Sequence, residues 1–473
     1  MHRSSHAVTH QGTRLAAGFF LVAMWLGGTT SALRAAESTK PPNIVFILAD
    51  DQGQHQIGRY GNSFYETPNV DGLAAEGMLF TDAYAAAPTC SPTRASIMTG
   101  KYPARLHLTE YIPGREPANR RLLTPKWTKH LPESEETLAE LLEPAGYTSG
   151  FFGKWHLNKD KNYKPGRPMD PASQGFEEVL TTRKPSGKAD PNDDAHSAAK
   201  ITAAALRFMR DHRDGPFLCF VSHHLIHTPL LERERLIEKY KAKTGANNSH
   251  QKPIVAAMVE TLDTNVGRLL EGLDDLGIAD ETIVIYMSDN GCLHGQDELK
   301  PLRGGKAQIL EGGIRMPMVV RWPGVVEPGS TCSVPVSSID FFPTLAEIAG
   351  EKATDLAIDG VSLVPLLRGD DGLDREALYW HFPHYHSAGD GPSGAIRKGD
   401  FKLIEWFDRN GKGGPQPGSV QLFDLANDPG EQTDLASADP RRAAALHAQL
   451  QQWRRDVGAQ EMPANPKVHE ARR

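Results

Sequence analysis

Asp50, Asp51, Asp289 and Asn290 each follow a short apolar run, and together they offer a cation nothing but oxygen. Oxygen donors suit a hard ion such as calcium or magnesium. Adjacent aspartates at one strand end repel each other unless a cation neutralises them. Taken alone, Asp289-Asn290-Gly291 is an ordinary turn sequence. A second acidic strand end and a nearby cysteine turn the balance toward a metal. Zinc fits poorly, because no His/Cys ligand spacing is present. That cysteine, Cys90, sits in Pro88-Thr89-Cys90-Ser91-Pro92-Thr93-Arg94-Ala95-Ser96-Ile97-Met98-Thr99-Gly100. Pro92 suits a first helical turn, where its missing N–H costs nothing. Cys90 then lies at a helix N-terminus, where free N–H groups and the dipole favour an anion. Arg94 falls one turn on and leans back toward the same place. The plainer alternative is a small buried cysteine in a helix-start turn.

These side chains need a frame that brings distant segments together. The run 43–49 ends in Asp50-Asp51, and 150–152 ends in Gly153-Lys154-Trp155-His156. The run 217–222 leads to His223, His224 and His227, and 282–287 ends in Ser288-Asp289-Asn290-Gly291. Continuous apolar runs of this length fit strands buried on both faces. Amphipathic segments 136–142, 256–276 and 339–349 alternate with them. The alternation predicts an α/β sandwich around a large, mostly parallel sheet. In such sheets ligands bind beyond the carboxyl ends of the strands. Any one of these polar residues alone reads as a satisfied loop residue; four strand ends in agreement read as a site. The stretch 157–200 is a long loop with some local structure, beside the site because it follows His156. After residue 370 the texture changes to a meander of short strands, 377–382, 395–398, 401–407 and 420–424, closed by a helix over 440–454. This divides the chain into a catalytic domain, 37–370, and a smaller C-terminal antiparallel-sheet subdomain, 371–473. No internal repeat is visible.

A chain of 473 residues is long enough for a large core and more than one domain. With 39% hydrophobic and 23% charged residues it has an ordinary globular composition. A formal charge of −7 without a basic patch gives no sign of nucleic-acid binding. Four scattered cysteines, Cys90, Cys219, Cys292 and Cys332, do not make a disulfide scaffold. Cys219, inside an apolar run, reads as a packed thiol. Residues 1–36 differ from the rest. Arg3 and Arg14 precede the apolar stretch 15–26, and small residues run to Ala35-Ala36. This reads as a secretory signal peptide, with an apolar core short for a membrane span. The expectation is export, to a periplasm or outside the cell, with no stable membrane insertion.

The run around Cys90 resembles the C-x-P-x-R signature of type I sulfatases, in which a maturation enzyme oxidises the cysteine to formylglycine. The resemblance covers nearly all of the chain after residue 36. Asp50-Asp51 through Tyr60-Gly61-Asn62 and Thr67-Pro68-Asn69 is similar to the family's opening block. Gly153-Lys154-Trp155-His156, His227-Thr228-Pro229, Lys306 with Glu311-Gly312-Gly313-Ile314-Arg315, and Leu422-Phe423-Asp424-Leu425 with Glu431 resemble further blocks. The resemblance implies an alkaline phosphatase-like fold and a sulfatase activity, with a sulfated carbohydrate as substrate. It implies one calcium ion held by Asp50, Asp51, Asp289, Asn290 and the modified Cys90. Arg94 and Lys154 would hold the hydrated aldehyde, and His156 would contact its second hydroxyl. His227 and Lys306 would face the leaving oxygen, with His227 as proton donor. Beyond those blocks, His294 and His384 are candidate substrate contacts, with His381 and His386 in the same segment as His384. His223 and His224 read as structural. Arg105, His107 and Glu110 are further candidates after the signature helix. Two rival readings stay open: a phosphate or phosphonate monoesterase on the same scaffold, and a sulfated-glycan-binding protein whose Cys90 is never oxidised.

Overall fold

A computed structural model of the chain describes residues 40–159, 166–245, 251–293, 301–353, 357–410 and 415–470. The expected signal peptide and His294 lie outside the described residues. The strands of the main body are β1 (Asn43–Ala49), β2 (Met78–Phe80), β3 (Ala83–Tyr84), β4 (Thr148–Gly153) and β5 (Glu178–Thr181). They continue with β6 (Phe217–Ser222), β7 (Thr282–Ser288), β8 (Met318–Arg321), β9 (Ser330–Cys332) and β10 (Val336–Ser337). Eight of them form one sheet in the order β5-β4-β6-β1-β7-β8-β2-β9. The stretch from β5 to β7 is wholly parallel, and β8 pairs antiparallel with β7 and β2.

Period-2 alternation sends β1 into two separate cores. Ile44, Phe46 and Leu48 join Phe151, Phe220 and Met287 on one face. Val45, Ile47 and Ala49 join Phe152, Val221 and Tyr286 on the other. Phe46 stacks on Phe220 at 4.7 Å and meets Phe341 edge-on at 4.9 Å. Cutting such a residue back to alanine costs about 3–5 kcal/mol, transfer and cavity together. Helices Cys90–Thr99, Leu138–Leu142 and Phe341–Ala349 cover the first face; Pro68–Glu76, Ala198–Asp211 and Lys252–Asp275 cover the second. Helix Leu138–Leu142 starts on a capping box between Thr137 and Glu140, which satisfies two N–H groups that would otherwise lack partners.

Among the described residues of 157–200 is a strand the sequence did not announce. β5 is a four-residue edge strand with its first two residues exposed and its last two partly buried, so it lacks the apolar run of its neighbours. Four strands of the C-terminal part follow: β11 (Leu378–Phe382), β12 (Ser393–Lys398), β13 (Phe401–Trp406) and β14 (Val420–Asp424). They form an antiparallel meander in chain order. One face packs Ile396, Leu403 and Leu422 against Leu446, Leu450 and Trp453 of the helix Pro440–Asp456. The other packs Trp380, Ala395, Ile404 and Phe423 against Tyr84, Ile309 and Ile314 of the main body. Both faces are therefore occupied, and Thr39–Arg473 forms a single compact unit. No helix among the described residues is long and apolar enough to cross a membrane.

Candidate active site

Strands β4, β6, β1 and β7 are adjacent and parallel, so their carboxyl ends open on one edge. Lys154 follows β4, His227 lies five residues beyond β6, Asp50 and Asp51 follow β1, and Asp289 and Asn290 follow β7. Close approach of β4 and β6 depends on Gly153, whose φ of +122° and crowding exclude a side chain; a Cβ there would lie 1.8 Å from Ser222 O. Asp51 and His156 also adopt left-handed backbone, at φ 65° and 56°. For residues other than glycine this conformation stores about 1–3 kcal/mol each and is concentrated at functional sites. The helix Cys90–Thr99 brings Cys90 and Arg94 to the same edge, and all ten of its residues are buried.

Three carboxylates meet three cations here. Lys154 Nζ donates to Asp50 Oδ2 at 2.7 Å. Arg94 Nε donates to Asp289 Oδ2 at 2.8 Å, and its Nη1 to Lys154 O at 2.8 Å and Ser222 Oγ at 2.6 Å. Lys306 Nζ bridges Asp51 Oδ1 and Oδ2 at 2.7 and 2.9 Å and lies 3.2 Å from Cys90 Sγ. Cys90 Sγ is 3.5 Å from Asp50 Oδ1 and 3.8 Å from Asp51 Oδ1. Burial pushes Asp50 up, but Lys154, His227, Arg94 and Lys306 outweigh it and hold the carboxyl well below its usual range. Asp51 is lowered in the same way, chiefly by Lys306 against its own burial. Asp289 goes the other way, raised by burial and by Asp50. Burial also raises the Cys90 thiol, so the residue is not held as a thiolate nucleophile.

Asp50 and Asp51 offer a hard cation oxygen, while Asp289 stands outside the group of ligand atoms that meet here, its Oδ2 held by Arg94. Asp50, Asp51, Cys90 and His227 each present a ligand atom within 4.8 Å of the others. Asn290 donates its amide to Asp51 Oδ1 and Gly291 O, both at 2.8 Å, while its buried Oδ1 accepts no hydrogen bond from the described residues. An ammonium already sits astride Asp51, which shows that the cluster accepts positive charge at that point.

His227 Nδ1 donates to Thr228 O at 2.6 Å, leaving Nε2 toward Asp51 Oδ2 at 3.8 Å. Burial and Lys306 bring its pKa down to about 4. His156 Nε2 donates to Ile112 O at 2.7 Å, which ties the 109–113 segment to the site. His384 is completely buried, with Nε2 2.7 Å from Thr109 Oγ1 and its ring edge-on to Trp127. His386 is only half-buried, and the charges of Lys306, Arg115 and Asp51 reach its ring. His223 and His224 are buried, the latter 3.0 Å from Thr182 Oγ1. Of two further contributors, Ser222 carries no signal in the sequence and Glu110 only its place after the signature helix. Ser222 ends an apolar strand yet holds Arg94, and Glu110 is buried with its pKa raised to about 8 by that burial.

Residues 42–351 match the family model described as Sulfatase, and 305–456 match one described as N-sulphoglucosamine sulphohydrolase, C-terminal. A sulfatase of Formosa agariphila is 31% identical, over 89% of this chain and 91% of its own. Human arylsulfatase A is 31% identical over 86% of each chain. Among solved structures, Ps i-CgsB in complex with k-i-k-neocarrahexaose is 27% identical with a TM-score of 0.71, over 88% of this chain and 93% of that one. The fold is accordingly the alkaline phosphatase-like sandwich of these enzymes. Matched over most of its length by the family model and by relatives named for sulfate-ester hydrolysis, this chain is a sulfuric ester hydrolase and belongs to the sulfatase family.

Proposed function

We propose that this chain removes sulfate from a sulfated carbohydrate, using formylglycine made from Cys90 and one calcium ion. The observation that carries the reading is the convergence of Asp50, Asp51, Asp289, Asn290, Cys90, Arg94, Lys154 and Lys306 in one buried cluster. Asp50, Asp51, Asp289 and Asn290 would hold the calcium, which supplies positive charge for the sulfuryl oxygens. Once oxidised and hydrated, position 90 would supply two hydroxyls on one carbon, one to accept the sulfuryl group and one whose deprotonation would release sulfate by C–O cleavage and restore the aldehyde.

The side chains divide the remaining work. Arg94 and Lys154 remain charged, since their carboxylate partners outweigh burial, and they stabilise oxygen anions at position 90. His156, tied through Ile112 to Ser91 next to position 90, would handle the second hydroxyl's proton. Asp51 keeps Lys306 cationic, which suits it to the developing charge on the leaving oxygen. His227 is neutral near pH 7, with its Nδ1 proton committed to Thr228. It serves as a donor once the bound sulfate draws a proton onto Nε2. Three anions and three cations balance, so a divalent ion leaves the centre positive and attracts an anionic ester.

The carbohydrate is supported by the solved relative bound to k-i-k-neocarrahexaose and by the match of residues 305–456. His386, half-buried at the edge of the charged cluster, is the histidine of its segment best placed for a sugar; His384 would brace the wall behind it. His294 remains a proposed contact. Residues 37–370 are read as the catalytic domain and 371–473 as its C-terminal subdomain, the whole exported on residues 1–36 after oxidation by a formylglycine-generating enzyme. The test is the mass of the tryptic peptide 60–94 from protein made with that enzyme. Loss of about 18 Da marks the conversion. An unchanged mass removes the nucleophile. Faster hydrolysis of an aryl phosphate than of the matched aryl sulfate favours the phosphatase reading instead.

A further inference from the structure

A second buried charge cluster lies between the C-terminal sheet and the main body. Lys402 of β13 has no solvent exposure, nor do Glu311 and Glu431. Lys402 Nζ lies 2.9 Å from Glu311 Oε1 and 2.8 Å from Glu431 Oε1. Tyr84 OH donates to Glu311 Oε2 at 2.6 Å, and Glu431 Oε2 accepts from Glu311 N at 2.8 Å. Arg397 of β12 and Arg315 both pair with Asp82, at 2.7 and 2.9 Å. Every anion has a cation, which a buried network requires.

Glu311 opens the short helix Glu311–Ile314, and that helix touches both halves of the reacting centre. Gly291 N, next to Asn290, donates to Gly313 O at 3.0 Å. The contact is so close that a Cβ on Gly291 would lie 1.9 Å from Gly312 O. Gly312 N donates to Arg303 O at 2.6 Å, and Lys306 N to Cys292 O at 2.8 Å. Arg303 Nη1 in turn donates to Glu431 O at 2.7 Å. The path from Lys402 to Asn290 and to Lys306 is thus continuous through charged groups and backbone.

We infer that Lys402 is a positioning residue: by pairing with Glu311 and Glu431 it seats the helix Glu311–Ile314, and through that helix it fixes Asn290 and Lys306. The C-terminal sheet is then part of the catalytic apparatus without touching substrate. The proposed function supplies the roles of Asn290 and Lys306; the seating rests on geometry alone.

The test compares Lys402→Met with the wild-type full chain by amide hydrogen exchange and by turnover of 4-nitrophenyl sulfate. Exchange in 288–293 and 303–316 should accelerate roughly tenfold or more, while β1 stays within about twofold. In matured protein kcat should fall at least roughly tenfold with KM changed less than about threefold, because the lost interaction acts on the chemical step. A merely structural residue would speed exchange in β1 as well. Unchanged exchange in the two segments of a folded variant overturns the inference. If Lys402→Met does not fold, Glu431→Gln preserves the shape and removes one anion; the same two segments should exchange faster, and their constancy overturns the inference equally. Failure of the matured wild type to hydrolyse either this ester or sulfated carrageenan oligosaccharides would defeat the proposed function while leaving the exchange result to decide this one.

Discussion

Asn290 Oδ1 is a buried acceptor with no hydrogen bond among the described residues, a state that costs about 1–3 kcal/mol. Its amide is fixed by two bonds, so the oxygen cannot turn away. Calcium would satisfy it, and Asn290→Ala should weaken calcium affinity by roughly tenfold or more in a calorimetric titration. Equal affinity would move the ion elsewhere. At position 90, Cys90→Ser should leave no steady turnover of an aryl sulfate, since a serine has no second hydroxyl on its carbon. Sustained hydrolysis by an unmodified serine would refute the mechanism. His381 provides a separate test by pH. It is buried, bonded to Gln460 O at 2.8 Å, and its pKa falls from 6.5 to about 4 because of burial. The unfolded chain therefore binds the proton more readily, so His381's contribution to stability is complete above pH 6.5 and is lost as pH falls toward 4. His381→Gln keeps a donor for Gln460 and does not titrate. Its stability should fall less steeply across that window, by up to about 1.4 kcal/mol per pH unit. An unchanged slope in pH-dependent urea melts would show that this ring does not stay neutral.

At the scale of elements, Gly153 carries the sharpest prediction. It must bring β4 against Ser222 and then deliver Lys154, and alanine would clash with backbone that has no slack. Gly153→Ala should lower stability by about 3 kcal/mol or more in chemical denaturation and reduce turnover in the fraction that still folds. A loss under about 1 kcal/mol would mean that β6 yields easily. The same strands explain what the sequence made legible. β1, β6 and β7 are buried on both faces, so their apolar runs stand out, and the polar residues that end them mark the site. The C-terminal meander was legible because its strands are short and separated by turns. β5, β2 and β9 were not: they lie toward the sheet margins, and β5 leaves its first two residues exposed, so pairing rather than composition makes them strands. Ser222 was illegible as a site residue, and Glu110 visible only as a candidate by its place after the signature helix, for a related reason. Their roles come from the burial and contacts that other segments impose, which local pattern does not encode. Leu138–Leu142 started within two residues of expectation because its capping box is written in Thr137 and Glu140.

The whole molecule holds together as one unit because the C-terminal sheet buries both its faces, one on its helix and one on the main body. A chain ended after residue 370 should therefore be insoluble or molten, with Tyr84, Ile309 and Ile314 stripped of Trp380 and Phe423 and with Glu311 stripped of Lys402. A sharp, cooperative melt of that fragment would contradict this account of the interface. Cys90 is 1% exposed, at the start of a helix buried on every side. That burial sets a timetable. No second protein can grip the residues around a thiol placed so deeply once the sheet has closed over them, so any enzymatic oxidation at position 90 would have to come before the chain folds. Protein that folds with its cysteine intact has missed the opportunity, and unfolding, not longer incubation, is what would give it a second one.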